Sequence, residues 1–273
     1  LQYYLPGYSE SIWPAVVGAV LALLTGLCIF GGVRRISAIT SGIVPVMAAI
    51  YIALGLFITV KNIGQVPYML SMIVSQAFDP KAMFAGIGAS CIMQGIKRGL
   101  YSNEAGMGST PHAHAMAKVK HPHEQGVVAM TGVFIDTFVV LTMTALVVIS
   151  TLYAGNGILS AGAAEGVSKA NMAQLAFGTV LGSRAGSMFV AVCLLFFAFS
   201  TILSWNFFGR LNVSWLLGEK AVGVYSVLAI GFIFLGSCLS NDLVWELADL
   251  FNQLMVLPNV LALVTLGGLV AAA

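Results

Sequence analysis

Seven long apolar stretches, each bounded by charge, proline or glycine, constrain what this chain can fold into. A hydrocarbon core about 30 Å thick takes about 20 residues of helix to cross, because a helix rises about 1.5 Å per residue. Of the 273 residues, 59% are hydrophobic and 8% are charged, whereas soluble domains usually carry about 25% charged residues. The sequence therefore predicts an all-α polytopic membrane protein and excludes a water-soluble monomer.

The predicted spans follow one another without an intervening soluble domain, so residues 1–273 form one predicted transmembrane domain. A further apolar stretch at residues 67–78 is too short to span and is predicted to lie at the membrane interface. Pro258 is predicted to kink the last span. The spans are residues 12–32, 43–60, 83–117, 126–152, 188–208, 222–239 and 244–270.

Lysine and arginine in the short loops predict the orientation, because cytoplasmic loops carry an excess of both. If the first span ends inside, the two faces of the membrane receive unequal numbers of these residues, and the acidic residues gather on the less basic face. We expect the more basic face to be cytoplasmic. It carries Arg34, Arg35, Lys118, Lys120, Arg210 and Lys220.

Several classes of function are excluded by what the sequence lacks. The net charge is only +2, too little for a basic face that follows a phosphate backbone, so nucleic acid is not an expected partner. The sequence has no CxxC, HExxH, GxSxG, P-loop or dinucleotide motif, so we expect no transition metal, no cofactor and no enzyme catalysis. The chain begins at Leu1 without a signal peptide, and we interpret it as a fragment that lacks an N-terminal part.

The third predicted span carries the residues most relevant to function. Its roughly 35 residues would extend about 52 Å as one helix, which is too long for a single straight span. It contains GLYSNEAGMGSTP, from Gly99 to Pro111, with three glycines and a carboxylate. In lipid every free backbone N–H or C=O costs several kcal/mol, so an unwound break persists only where protein, water or a ligand completes its hydrogen bonds. The run therefore predicts a broken helix and a candidate binding site.

Two features of the break favour a zwitterionic ligand. Free amides at the start of the second half-helix, near Pro111, suit a carboxylate, and unwound carbonyls suit an ammonium group or a cation. Gly106 and Gly108 permit close backbone approach, although close packing between helices explains the same glycines. Asn103 and Glu104 beside them favour a binding role.

Ionisable groups inside a span cost at least about 2.5 kcal/mol by insertion scales, so they normally face a cavity or a partner. Glu104 and Asp136 are two such groups. Glu104 caps the half-helix, pairs with Arg98 or contacts the ligand directly. Asp136 is either a packing and hydrogen-bonding residue near Thr137 or a functional one. We assign Arg98, Glu104, Gly108 and Asp136 to structural or gating roles.

Hydroxyl-bearing side chains recur in the fifth predicted span, within FFAFSTILSWNFFG. Ser200, Thr201 and Ser204 suit a hard cation such as Na⁺ or the polar groups of a ligand, and Trp205 shares a helix face with Thr201. The alternative is that these hydroxyls bond to carbonyls of their own helix, as is common in membrane helices. Trp205 taken alone is equally explained by packing or by anchoring at the interface.

Several runs make the chain resemble the alanine or glycine:cation symporter family, the sodium:alanine symporters. They are IFGGVRRI, VPVMAAIYIALG, KRGLYSNEAGMGSTPHAHAMAKVKHPHEQGVVAMTGVFIDTFVVLTMTALVVIS, FFAFSTILSW and DLVWELADLFNQLMVLPN. The resemblance implies a LeuT-type inverted-repeat transporter fold of two five-helix halves, with substrate and Na⁺ between two discontinuous helices. It implies that this chain is incomplete at the N-terminus, with a truncated first repeat and a complete second repeat. The missing N-terminal half would supply the other broken helix.

The resemblance also implies roles for particular residues. Ser200 and Thr201 match the hydroxyl pair that coordinates Na⁺ in related folds. The family usually has Phe at the position of Tyr101 and small residues where histidines follow Pro111, so the pocket and the cytoplasmic gate depart from the family pattern. The candidate substrate-binding residues are Tyr101, Asn103, Ala105, Gly106, Thr201 and Trp205.

The function implied by the resemblance is secondary active transport. Small neutral amino acids, alanine or glycine, would cross together with Na⁺ by alternating access. The protein would be a multi-pass protein of the cytoplasmic membrane of a prokaryote, with the lipid bilayer around it. The alternatives are an H⁺-coupled transporter of another small solute with Glu104 or Asp136 as proton carrier, a channel, and a non-functional fragment.

Overall fold

The structure is a computed structural model that describes residues 7–77, 87–102, 104–155, 157–160, 162, 167 and 171–272. Long helices joined by short connections make up most of this part of the chain. The helices are α1 Trp13–Ile29, α2 Gly32–Lys61, α3 Val66–Ala77, α4 Ile87–Ser102, α5 Thr110–His114, α6 Pro122–Tyr153, α7 Met172–Leu181, α8 Ser183–Leu217, α9 Glu219–Cys238 and α10 Asn241–Ala272.

Five stretches of helix in the described part are long and apolar enough to cross a membrane. They are Ala38–Lys61, Pro122–Tyr153, Ser183–Leu217, Glu219–Cys238 and Asn241–Leu269. Their windows are poorly buried within the chain, and none of the window in α10 is buried. Large apolar side chains exposed in this way fit lipid or further protein as their surroundings. The prediction of an all-helical, polytopic membrane protein is confirmed.

Several helices differ in extent from the predicted spans. Helix α2 begins at Gly32 and therefore takes in Arg34 and Arg35, which the prediction placed in a loop. Arginine is a good helix former, so the helix continues through these residues. The third predicted span contains α4, the non-helical residues 104–109 and the five residues of α5, and its residues 83–86 and 103 lie outside the described residues.

Helix α6 changes its winding along its length. Pro122–Phe134 and Thr142–Val148 are α-helical, whereas Ile135–Leu141 and Ile149–Tyr153 wind as π-helix. π-Helical turns inside α-helices are rare and are frequently found at functional sites. The first π segment contains Asp136.

Helices α2, α6, α7 and α8 share the larger of two buried clusters in the described residues. Ile58, Val147 and Phe177 are completely buried there. Tyr51 packs its ring against Phe177 at 5.5 Å between centroids, and its hydroxyl lies 3.1 Å from Thr144 Oγ1. The smaller cluster joins α1, α2 and α8 and consists of Cys28, Ile29, Ile36 and Leu203.

Helices α1 and α9 approach each other closely where α1 carries glycine. A Cβ added to Gly18 would collide with the Ser237 side chain, and one added to Gly26 would lie 3.2 Å from Ile230 Cδ1. Small residues at such contacts are typical of membrane helices, because van der Waals packing replaces the hydrophobic effect there.

Candidate functional site

The turn between α4 and α5, residues 104–109, is called the break below. Glu104 has φ 61° and Gly108 has φ 71°, both in the left-handed region. A non-glycine residue in this region is uncommon, and it persists where the surrounding structure holds it in place. The Gly108 N–H donates to the Glu104 carbonyl at 3.1 Å, which closes the turn. The chain is therefore non-helical from residue 104 to residue 109, between α4 and α5.

The two glycines of the break each lie against a neighbour that leaves no room for a Cβ, and the neighbours differ. A Cβ on Gly106 would collide with the carbonyl oxygen of Leu100, in the last turn of α4. A Cβ on Gly108 would collide with the side chain of Asn259 on α10. Gly106 thus lets the chain fold back on its own helix, and Gly108 lets a second helix reach the backbone.

Asn259 is the residue that completes the break from another helix. Its Nδ2 donates to the carbonyl oxygens of Ala105 at 3.0 Å and Gly106 at 2.9 Å. Carbonyls freed by unwinding need such partners in a membrane. Sequence reasoning missed Asn259, and the only available signal was an asparagine directly after Pro258 in an apolar helix.

The Glu104 side chain is bound within the break. Ser109 is 1% exposed, and its Oγ donates to Glu104 Oε2 at 2.8 Å. This contact supports a structural role for Glu104 among the alternatives left open by the sequence. This hydrogen bond also joins the first residue of the break, Glu104, to the last, Ser109.

Helix α5 has only five residues, so few peptide dipoles are aligned behind its N-terminus. Its attachment to α8 is made by a side chain. His112 Nδ1 lies 2.8 Å from the Ser109 carbonyl oxygen, and Nε2 lies 3.1 Å from Asn212 Oδ1. The ring also packs against Phe208, with centroids 5.9 Å apart.

Arg98 connects the other side of the break to α10. Its guanidinium forms a two-point ion pair with Asp249, Nη1 to Oδ1 at 3.1 Å and Nη2 to Oδ2 at 3.4 Å. The guanidinium carbon also lies 4.9 Å from the ring centroid of Trp245. Arg98 therefore pairs with α10, whereas the pairing considered from the sequence was with Glu104.

Asp136 lies next to the end of α4. Its Oδ2 accepts a hydrogen bond from Ser102 Oγ at 3.4 Å. The carboxylate lines a cavity of about 240 Å³ between α2, α6 and α8, with Tyr51 and Phe197 among the lining residues. A carboxylate on a span thus faces a cavity and a partner, as its cost in lipid requires.

The hydroxyls of α8 are bound within their own helix. Ser200 Oγ donates to the Phe197 carbonyl at 2.9 Å, and Ser204 Oγ donates to the Ser200 carbonyl at 3.0 Å. Thr201 is exposed. Trp205 packs edge-on against Phe208, with centroids 6.0 Å apart. These contacts support the alternative in which the two serines bond to carbonyls of their own helix, and Thr201 lies exposed on the helix surface.

The predicted site residues fall into separate groups. Trp205 lines a second cavity, of about 530 Å³ between α8 and α9, and neither described cavity contains a residue of the break. Ring contacts link His112, just after the break, to Phe208, and Phe208 to Trp205. Tyr101 lies in the last turn of α4, and Asn103 lies outside the described residues.

Five described helices that are long and apolar enough to span a membrane, together with a non-helical break bound by Asn259 of α10, define a polytopic membrane protein. The chain belongs to the sodium:alanine symporter family, whose sequence model matches residues 7–273. The family resemblance inferred from the sequence is thereby confirmed. The family is one of transporters, not of enzymes.

Three relatives illustrate the range of the family. The sodium/alanine symporter AgcS of Methanococcus maripaludis is 39% identical over 260 residues, which cover 95% of this chain and 56% of that protein. The probable sodium/glutamine symporter GlnT of Bacillus subtilis is 36% identical, over 94% of this chain and 52% of that protein. The putative sodium/proton-dependent alanine carrier protein YrbD of Bacillus subtilis is 38% identical, over 93% and 54%. The chain spans about half the length of these relatives.

Proposed function

We propose that the chain carries one side of the translocation pathway of a Na⁺-coupled symporter for small neutral amino acids such as alanine or glycine. The transporter works by alternating access on a LeuT-type inverted-repeat fold. The observation that carries the proposal is the break, in which two unwound carbonyls are bound by an asparagine of another helix. Membership of the sodium:alanine symporter family supports the coupling ion and the substrate class.

The break offers the backbone groups that a zwitterion needs. The carbonyls of Ala105 and Gly106 accept two hydrogen bonds from one amide group, and an ammonium group has the same donor chemistry. Tyr101 and Asn103 belong to the same segment and are further substrate candidates. Substrate specificity for small side chains would come from Trp205, together with Thr201 one turn before it.

Sodium is expected at the hydroxyls of α8. Thr201 is exposed, and Ser200 Oγ donates its hydrogen to the Phe197 carbonyl while its lone pairs remain able to coordinate an ion. Hydroxyl and carbonyl oxygens suit a hard cation.

Gating is assigned to the contacts that cross from the broken helix to its neighbours. Arg98 and Asp249 connect α4 to α10, and Ser102 and Asp136 connect α4 to α6. Rocking of one group of helices against the other must break or rebuild these contacts. Because the chain spans about half the length of its relatives, we propose that the sequence equivalent to their other half completes the site.

An H⁺-coupled transporter is the second candidate. Asp136 faces a cavity beside the break and can carry a proton there. The name of one Bacillus subtilis relative includes proton dependence. A rate of uptake that follows the proton gradient and is independent of Na⁺ favours this candidate.

The test is uptake of radiolabelled alanine and glycine into proteoliposomes, with and without an inward Na⁺ gradient. The protein is this chain joined to the N-terminal half of the Methanococcus maripaludis relative, with the chain alone in parallel. We expect saturable, Na⁺-dependent uptake by the joined protein, and its loss in Gly106→Leu and Thr201→Val. Gly99→Leu, in open space on α4, is the matched control and keeps uptake. Uptake by a folded protein that ignores Na⁺ rejects the symport proposal.

A further inference from the structure

The cavity between α8 and α9 borders a buried amide that has no partner. Asn206 on α8 is 5% exposed and lines this cavity, whose volume is about 530 Å³. Its Nδ2 and Oδ1 are both shielded from solvent, and neither has a hydrogen-bond partner among the described residues. An amide without partners is costly inside a membrane, where water is scarce. Polar side chains in such positions commonly mark functional sites.

The lack of a partner is a property of this position, as two other asparagines show. Asn62, directly after α2, and Asn212, in α8, donate through Nδ2 to the carbonyl four residues earlier, at 3.0 Å and 2.9 Å. Asn206 has the Ile202 carbonyl at the same spacing and does not bond to it. Because the Asn206 amide makes no hydrogen bond, the side chain can rotate toward the cavity without breaking one.

The walls of the cavity are otherwise mostly apolar. Trp205, Leu228, Phe232 and Ile233 are among the lining residues, and Tyr225 adds a hydroxyl. No lining side chain in the described part of the chain carries a charge near pH 7, so a charged ligand would lie there without a counter-charge. A volume of this size is typical of small-molecule sites, which are mostly apolar with a few polar groups. The cavity therefore fits a small neutral molecule with an apolar body.

The polar part of the ligand follows from the two atoms that lack partners. Nδ2 donates hydrogen bonds and Oδ1 accepts them, so the complementary group must accept and donate side by side. A primary carboxamide does this in one plane, whereas a ketone only accepts, and a carboxylate only accepts and carries a charge. We propose that the cavity binds a small neutral carboxamide with an apolar body, and that Asn206 holds its amide by two hydrogen bonds.

Thr25 on α1 offers Asn206 a competing partner inside the chain. Its Oγ1 is the other buried side-chain group without a hydrogen-bond partner in the described residues. Both residues lie one helical turn before a contact between their helices, in which Arg210 Nη1 donates to the Ile29 carbonyl at 2.9 Å. A bond between Thr25 and Asn206 would satisfy both without a ligand, and the two are not bonded in this structure. The two explanations predict opposite effects of removing the amide.

The first test measures the stability of Asn206→Leu without a ligand. Unfolding of the purified chain in mixed micelles with increasing SDS is followed by circular dichroism. We expect Asn206→Leu to unfold at the same SDS fraction as the wild type or at a higher one, because the substitution removes an amide that makes no bond. Asn62→Leu removes a bonded amide and should unfold at a lower fraction. A lower fraction for Asn206→Leu as well would show that its amide already has a partner, and the proposal would fail.

The second test measures binding of three probes of the same shape. Isovaleramide donates and accepts hydrogen bonds, 4-methyl-2-pentanone only accepts them, and 2,4-dimethylpentane does neither. The chain is placed in lipid nanodiscs with every tryptophan except Trp205 replaced by phenylalanine, so that the fluorescence reports on the cavity. The ratio of the isovaleramide affinity to the dimethylpentane affinity should be about tenfold or more higher in the wild type than in Asn206→Leu, as expected for two hydrogen bonds. Partition of the probes into lipid cancels in this comparison.

Two further variants keep the binding test decisive if Asn206→Leu does not fold. Ala229→Leu adds a larger side chain to the cavity wall and should weaken binding of all three probes. Asn252→Leu, on α10 and outside the cavity, is the control and should leave all three affinities unchanged. Equal affinity ratios in the wild type and Asn206→Leu, or probe binding that Ala229→Leu does not alter, would reject the site.

The third test repeats the binding measurement with the joined transporter. We expect the preference for isovaleramide to persist there. Its loss would mean that the added half fills the cavity, and would overturn a ligand site at this place.

Occupancy of the cavity has a consequence that rests on the proposed transport function, because Trp205 lines the cavity and is also a candidate substrate residue. Isovaleramide should lower Na⁺-driven alanine uptake by the joined transporter, and should lower it less in Asn206→Leu. An equal effect on both proteins would reject this consequence. If uptake is absent altogether, the symport proposal fails while the binding measurements still decide the carboxamide site.

Discussion

The break and the hydroxyl-bearing stretch of α8 differ in where their polar groups find partners. The carbonyls of the break are bound by Asn259, which comes from a helix about 150 residues further along the chain. The hydroxyls of Ser200 and Ser204 are bound by carbonyls of their own helix. The break is therefore a tertiary construction that depends on α10, whereas the α8 stretch would keep its hydrogen bonds in an isolated helix. Substitutions should affect the two regions very differently.

The largest effect is expected for Asn259→Leu. The substitution removes two hydrogen bonds to unwound carbonyls and puts an alkyl group against them, at a cost of about 2 to 4 kcal/mol. The measurement is unfolding of the purified chain in mixed micelles with increasing SDS, followed by circular dichroism. Asn252→Leu, on the same helix, is the control, because Asn252 makes no hydrogen bond within the described residues. Equal stability of the two variants would mean that α10 does not hold the break.

A smaller loss is expected for Gly108→Ala. The residue has φ 71°, where an L-residue costs about 1 to 2 kcal/mol, and the new Cβ pushes the Asn259 side chain away. Gly99→Ala, in open space on α4, should instead stabilise by up to about 1 kcal/mol through helix propensity. Thermal unfolding of both variants in detergent checks the opposite signs. The same sign for both would show that the break tolerates a side chain.

These two predictions separate what could be predicted from sequence from what could not. Three glycines and a carboxylate within a stretch too long for one span were sufficient to predict the break, because unwinding there is a local property. Asn259 and Asp249, the partners on α10, could not be predicted, because each lies more than 150 residues from the group it binds. Contacts of that kind depend on how helices pack, and composition and spacing do not determine the packing.

The same distinction applies to the helix limits and to α8. Arg34 and Arg35 were predicted to end a span, yet the helix that contains them begins at Gly32, because arginine is a good helix former. The serines of α8 were given both a local and an ion-binding interpretation, and the local bonds are present. An ion-binding role for Ser200 and Thr201 remains a prediction.

A modest effect is expected for Arg98→Gln. The side chains of Arg98 and Asp249 are 43% and 21% exposed, so water screens the pair and it contributes about 0.5 to 1 kcal/mol. The contact with the Trp245 ring adds to this. The measurement is unfolding at low and at high salt, and the difference from wild type should shrink at high salt. Lys97→Gln is the matched control. A salt-dependent loss of the same size in that variant would show that the effect does not come from the Arg98–Asp249 pair.

The smallest effect on stability is expected for Ser200→Ala and Ser204→Ala. Each loses one hydrogen bond to its own helix, so both should remain within about 0.5 kcal/mol of wild type. Under the symport proposal, the two variants should differ in the Na⁺ dependence of uptake. Ser200→Ala should raise the Na⁺ concentration for half-maximal uptake about tenfold, which corresponds to about 1.4 kcal/mol. Equal Na⁺ dependence of both variants would remove Ser200 from the ion site.

The hydrogen bonds from Asn259 to the break have a consequence for the return half of a transport cycle. A symporter must change conformation again after it has released its cargo, and a break with unpaired carbonyls would be unstable at that moment. Under the proposed function, the Asn259 amide occupies the carbonyls that the ammonium group of the substrate would bind, so an arriving substrate would exchange one donor for another. Under the proposed function, the unloaded carrier then resembles the loaded one in its internal polar contacts, and its reorientation meets no additional barrier from the broken helix.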